Sequence, residues 1–112
     1  MVRPARFEIT EDTQAGAVIL SVVGELDLNT APELAHRVED KLAENPTTLT
    51  LDLLDLTFMD SSGLRLLIEL DRRADQDAWK LTLIPSKHES ARTVLRLTGA
   101  DAALPFEDAA PQ

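Results

Sequence analysis

Thr48-Leu-Thr-Leu-Asp-Leu53 and, a few residues on, Phe58-Met-Asp-Ser-Ser-Gly-Leu64 decide how this chain is read. In the first run, leucines at 49, 51 and 53 alternate with Thr48, Thr50 and Asp52, the period of a strand with one buried face. From Gly63 onward the period changes to that of a helix, with Leu64, Leu67, Ile68 and Ala74 on the face expected to meet the core. Working outward, Trp79, Leu81 and Leu83 form another alternating strand after Asp75 to Ala78. Upstream, Thr30-Ala-Pro-Glu33 reads as a capping box ahead of Leu34, Val38 and Leu42 at helical spacing, ended by Asn45-Pro46. Before it, Phe7 and Ile9 alternate with polar residues, Asp12 to Gly16 supplies a turn, and Ala17 to Val23 is apolar, which predicts a hairpin. Downstream, Ser86-Lys-His-Glu89 reads as a second capping box before Ala91, Val94 and Leu95, with Gly99 as C-terminal cap and a last short strand at Leu104 to Phe106. The order is that of an α/β fold with right-handed crossovers. The half-polar strands predict a mixed sheet of four to five strands with helices mainly on one face.

The 112 residues, 44% of them apolar, suit one domain spanning 1–112, with its core at about 7–106 and a short tail at 107–112. Eleven basic against twenty acidic residues leave a net charge of -9. That balance argues against a nucleic-acid partner, which needs a positive footprint. Without cysteine there is no disulfide framework, thiolate metal site or thiol nucleophile, and a reducing compartment is compatible. Arg3 and Arg6 have no apolar segment behind them, and Ala17–Leu20 is too short to span a bilayer. The expectation is a cytoplasmic protein without direct membrane insertion.

The helix that begins near Ser61 has no acidic partner three residues past its start and has glycine in its first turn, where it costs about 1 kcal/mol against alanine. One reading makes Asp60 or Ser61 a plain N-cap. The other gives Gly63 the task of opening space around the first-turn N–H groups, where a phosphate on Ser61 or Ser62 would sit.

Met59-Asp-Ser-Ser-Gly-Leu64 after a strand, Gly24-Glu-Leu-Asp27 with Thr30-Ala-Pro-Glu-Leu34 behind it, and Val94-Leu-Arg-Leu-Thr-Gly99 together resemble the STAS family, in particular its stand-alone anti-sigma factor antagonists. The resemblance runs from about Phe7 to Phe106. It implies a STAS-like sheet and a switch rather than an enzyme: the unphosphorylated protein binds an anti-sigma factor that is also a serine kinase, and the sigma factor is freed. Phosphorylation weakens that binding, and a metal-dependent serine phosphatase reverses it. Carried onto this sequence, Ser61 is the phosphoacceptor, Asp60 and Ser62 flank it, Gly63 follows, and Asp27 faces the same partner. The residues alone equally allow Asp27 to be a turn aspartate beside Thr30. In the family a C-terminal helix usually follows the last strand, whereas this sequence has six residues after Phe106, including Pro111. Arg65 stands where the family often has glycine and is expected to influence which kinase is accepted.

Other chemistry finds little support. No Gly-x-Ser-x-Gly elbow occurs, His36 and His88 are expected on polar helix faces, and Asp52 with Asp55 lacks a His or Cys for a metal, so neither metal nor cofactor is expected. A rival within the fold is the small accessory subunit of a lipid-transport ATPase, which would bind through the same face without a phosphorylation cycle. At 100° per residue, Leu66 and Leu70 fall beside the expected core stripe. They are either core-edge residues or an exposed apolar strip docking on the partner, with Arg65, Arg72 and Arg73 around it.

Overall fold

In a computed structural model, residues 6–107 are described and form one five-stranded sheet with four helices. Strands β1 (Phe7–Gln14) and β2 (Ala17–Leu26) form the expected hairpin. Its turn is tighter than Asp12–Gly16: Gln14 pairs with Ala17, and Ala15 and Gly16 both take positive φ. That is the two-residue arrangement whose twist suits a hairpin. Helix α1 (Ala31–Leu42) follows, then β3 (Thr48–Asp52), β4 (Leu56–Met59), α2 (Ser61–Asp77), β5 (Lys80–Ile84), α3 (Glu89–Thr98) and the single turn α4 (Ala100–Ala103).

The sheet runs β1-β2-β3-β5, antiparallel at the hairpin and parallel after it. β2 also pairs with β4. Ala17 to Ser21 align with β3, whereas Gly24 to Leu26 align with β4, with a register shift between Gly24 and Glu25. Gly24 makes this possible. Its φ is 111°, and a β-carbon there would run into the carbonyl of Arg6. Sequence reading missed β4, because Leu56-Thr-Phe-Met59 has buried ends around two exposed residues and so lacks strict alternation. The expected strand at Leu104 to Phe106 is reduced to one bridge, Phe106 to Leu83, preceded by α4.

Val18, Leu20, Val22 and Leu26, then Leu49, Leu51 and Leu53, then Leu81 and Leu83 bury one face of the sheet under the helices. The opposite positions, such as Ser21, Thr50 and Thr82, are only half-buried. Glu11, on the helix side of β1, receives Arg37 at 2.8 Å and Lys41 at 2.5 Å from α1, which pins that helix across the hairpin.

The phase of α2 differs from expectation. Its buried positions are Gly63, Leu67, Leu70 and Ala74, while Ile68 is 49% exposed and Leu64 half-buried. Glycine carries the stripe: a β-carbon at Gly63 would come within 2.8 Å of Met59 Cγ and 2.9 Å of Leu26 Cγ. With apolar residues on almost every side of the first two turns, only that close approach to the sheet settles which face is inward. Ile68 then falls about 130° from the centre of the stripe.

Candidate functional site

Leu26 of β2 and Met59 of β4 are paired, and the Asp60 amide donates to the Leu26 carbonyl at 3.2 Å. Two strand-to-helix corners therefore lie side by side, Asp27 to Ala31 and Asp60 to Gly63. In the first, Asp27 Oδ1 accepts from the amides of Asn29 (2.9 Å) and Thr30 (3.0 Å). Thr30 Oγ1 donates to the Glu25 carbonyl at 2.7 Å and accepts from the Asp27 amide at 2.9 Å. The expected Thr30–Glu33 capping box does not form: Thr30 makes no side-chain cap bond, because its hydroxyl is turned back into the loop. Asp27 is thus firmly a turn-bracing residue, at the edge of the second corner.

In that second corner Asp60 is the N-cap of α2, and its Oδ1 accepts from the amides of Ser62 at 2.8 Å and Gly63 at 3.3 Å. The expected open cradle for a phosphate is corrected here. Asp60 already fills it, and Gly63 is buried against Leu26 and Met59 instead of leaving room. Ser61 is the first residue of the helix, exposed, and its hydroxyl has no hydrogen-bond partner among the described residues. Ser62 is half-buried and lies on the rim of a shallow groove of about 330 Å³ between α1 and α2. Leu28, Pro32, Arg65 and Leu66 share that lining.

Of the expected docking strip, Leu66 is half-buried on this groove, but Leu70 is 2% exposed and belongs to the core. The strip is corrected accordingly, since Leu70 lies within the stripe set by Gly63. Sequence reading missed Leu28, 74% exposed in the turn between Asp27 and Asn29. Its signal was an apolar residue that no strand or helix period claims. Arg72 pairs with Glu69 on its own helix and Arg73 with Glu39 of α1.

The second capping box also resolves differently. His88 is the N-cap residue of α3 and makes no side-chain cap bond, and Ser86 lies buried ahead of the helix. Its hydroxyl donates to the Leu56 carbonyl at 2.6 Å and accepts from the His88 amide at 2.9 Å, tying the loop after β5 to β4. His88 therefore precedes its helix, while His36 sits exposed on α1, 4.0 Å from Asp40. Burial, with the charge of Asp75 behind it, pushes the Asp71 carboxyl of α2 above its ordinary value. Among the described residues, no group of three or more His, Cys, Asp or Glu side chains is placed to hold a metal ion. No helix there is long and apolar enough to cross a membrane.

The fold and this corner define a small α/β domain of the mixed-sheet kind, marked by a serine at the open end of a helix that packs on the sheet through glycine. The chain belongs to the STAS-domain family, whose model matches residues 8–110. Over 76 residues it is 34% identical to the anti-sigma-F factor antagonist RsfB of Mycobacterium tuberculosis, covering 68% of this chain and 62% of that protein. The chain thus spans somewhat under two thirds of that relative's length. Among solved structures, an anti-sigma factor antagonist from Mycobacterium paratuberculosis superposes with a TM-score of 0.79 at 25% identity, over 94% of this chain and 88% of that one. The antagonist SpoIIAA in its unphosphorylated form gives 0.73 at 23% identity, over 93% of this chain and 88% of that one. The phosphorylated form of the Bacillus protein gives 0.67 at 23% identity, over 93% and 91%. The fold is that of these antagonists.

Proposed function

We propose that this chain is a single-domain anti-sigma factor antagonist, active when unphosphorylated and switched off by phosphorylation of Ser61. Its partner is an anti-sigma factor that doubles as a serine kinase, and a metal-dependent serine phosphatase resets it in the cytoplasm. One observation carries the reading: Ser61 is exposed at the first position of α2, its hydroxyl unengaged among the described residues, while the neighbouring hydroxyl of Thr30 is consumed by its own loop. The relationship to RsfB and the likeness to SpoIIAA in both phosphorylation states support it.

The docking face in this reading is the groove with its rim: Asp27, Asp60, Ser62, Arg65 and Leu66, joined by Leu28. Apolar contact at Leu28 and Leu66 supplies affinity, and charge on Ser61 controls it. A phosphate adds about -1.5 to -2 charge. It lands beside Asp60, whose carboxylate bonds to amides of its own helix start, so the switch acts locally and leaves the sheet unchanged.

Incubation with candidate anti-sigma kinases and ATP, followed by intact mass and site mapping, tests this. The expected result is one phosphate, on Ser61, absent from Ser61→Ala, which still binds the anti-sigma factor. Phosphate on Ser62 would overturn the assignment. Stable binding to a transport ATPase subunit, with no phosphate gained from any kinase, would move the chain to the accessory-subunit class.

A further inference from the structure

We propose that Arg65 is the intramolecular counter-ion for a phosphate on Ser61, and that it carries the effect of that phosphate into the groove between α1 and α2. The inference rests on Ser61 being the switch residue. Donors are short at this helix start. The amides of Ser62 and Gly63, which a phosphate at a helix start would ordinarily use, are both held by Asp60 Oδ1 at 2.8 and 3.3 Å. A phosphate on Ser61 therefore meets a carboxylate where it would otherwise meet free N–H groups, and needs a cation from elsewhere.

Arg65 lies four residues on, one helical turn from Ser61 and on the same strip of α2. An anion N-terminal to a cation at this spacing is the favourable order, because it also complements the helix dipole. Arg65 is exposed and pairs with no carboxylate among the described residues, whereas Arg6, Arg37, Arg72, Arg73, Arg92 and Arg96 each do. A guanidinium also offers the planar fork that binds phosphate through two hydrogen bonds. Among the described residues, the carboxylates of the corners and the groove are Asp27, Asp60 and Glu69, the last already engaged by Arg72.

Arg65 also links the helix start to the groove through a mobile charged side chain. It lines the groove with Leu28, Pro32 and Leu66, but Ser61 does not. Phosphorylation then draws the guanidinium toward the helix end, so the groove changes its polar rim without any movement of the backbone. In the unphosphorylated protein the same side chain stays free for a partner.

Phosphoserine installed at position 61 during synthesis tests this without a kinase. The second ionisation of the phosphate is followed by phosphorus NMR in the otherwise unchanged protein and in Arg65→Gln and Arg65→Lys. Loss of the pair should raise the midpoint by about 0.15 to 0.4 pH unit, with most of the shift restored by lysine. Methyl shifts of Leu28 and Leu66 on phosphorylation should shrink in Arg65→Gln. Equal midpoints in all three proteins would overturn the proposal. Failure of the switch reading would show separately, as wild-type protein that no anti-sigma kinase phosphorylates, and would leave this titration unaffected.

Discussion

The two corners at the ends of β2 and β4 are made from nearly the same residue types, and they are used in opposite ways. At Asp27 to Ala31 the aspartate and the threonine hydroxyl satisfy each other and the loop backbone, so both of these side chains turn back into the loop. At Asp60 to Gly63 one aspartate does all the capping, and the serine beside it is left with its hydroxyl in solvent. A hydroxyl becomes available for chemistry when a neighbour has already met the backbone's needs. The presence of Asp, Ser or Thr at a helix start therefore says little about function until the hydrogen bonds are assigned.

The largest test of the contrast is Gly63→Val. The added carbons meet Met59 and Leu26, so unfolding free energy should fall by about 1–3 kcal/mol in denaturant titration. A neutral result would mean that α2 does not pack on the sheet through glycine. Thr30→Ala removes a donor and an acceptor from the closed corner and should cost about 1–2 kcal/mol. Ser61→Ala should stay within about 0.5 kcal/mol of wild type by the same measurement. Equal costs for the two hydroxyl deletions would erase the distinction between a structural and an uncommitted corner.

The smallest effect lies away from both corners, at Glu11. Hydrogen bonds from Lys41 and then Arg37 hold its carboxyl below the ordinary 4.5. A carboxylate whose value is lowered by folding contributes stability above its unfolded value and loses it as pH falls through the folded one. Glu11→Gln should therefore be slightly less stable than wild type near neutrality, and the gap should close in acid. A gap that persists at pH 2 would assign the loss to packing and not to charge.

Much of this architecture is legible in the sequence. The alternation of Leu49, Leu51 and Leu53, the spacing of Leu34 and Val38, and Gly99 as a left-handed C-cap all follow from period and backbone preference, and each holds. What escaped is of another kind. Thr30–Glu33 and Ser86–Glu89 fit the capping-box pattern, yet Thr30 and Ser86 serve carbonyls at Glu25 and Leu56, partners that only the tertiary fold brings near. Gly63 counts as non-apolar in a hydrophobic pattern, so the expected phase of α2 is shifted and Leu70 falls beside the expected stripe, at the core edge or on an exposed strip, instead of within it. That a helix opens near Ser61 is legible from the change of period after Gly63. The groove was not, because Leu28 and Pro32 belong to a different segment from Leu66.

The division of one edge of β2 between two neighbours has a mechanical side. β3 is aligned with it from Ala17 to Ser21, whereas β4 is aligned only at Gly24, Glu25 and Leu26, beyond the register shift. A tug on the start of α2, such as a departing partner would exert, loads the short seam first. Yielding would begin there, and the long seam would keep the rest of the sheet closed, much as a perforated tab tears before the page.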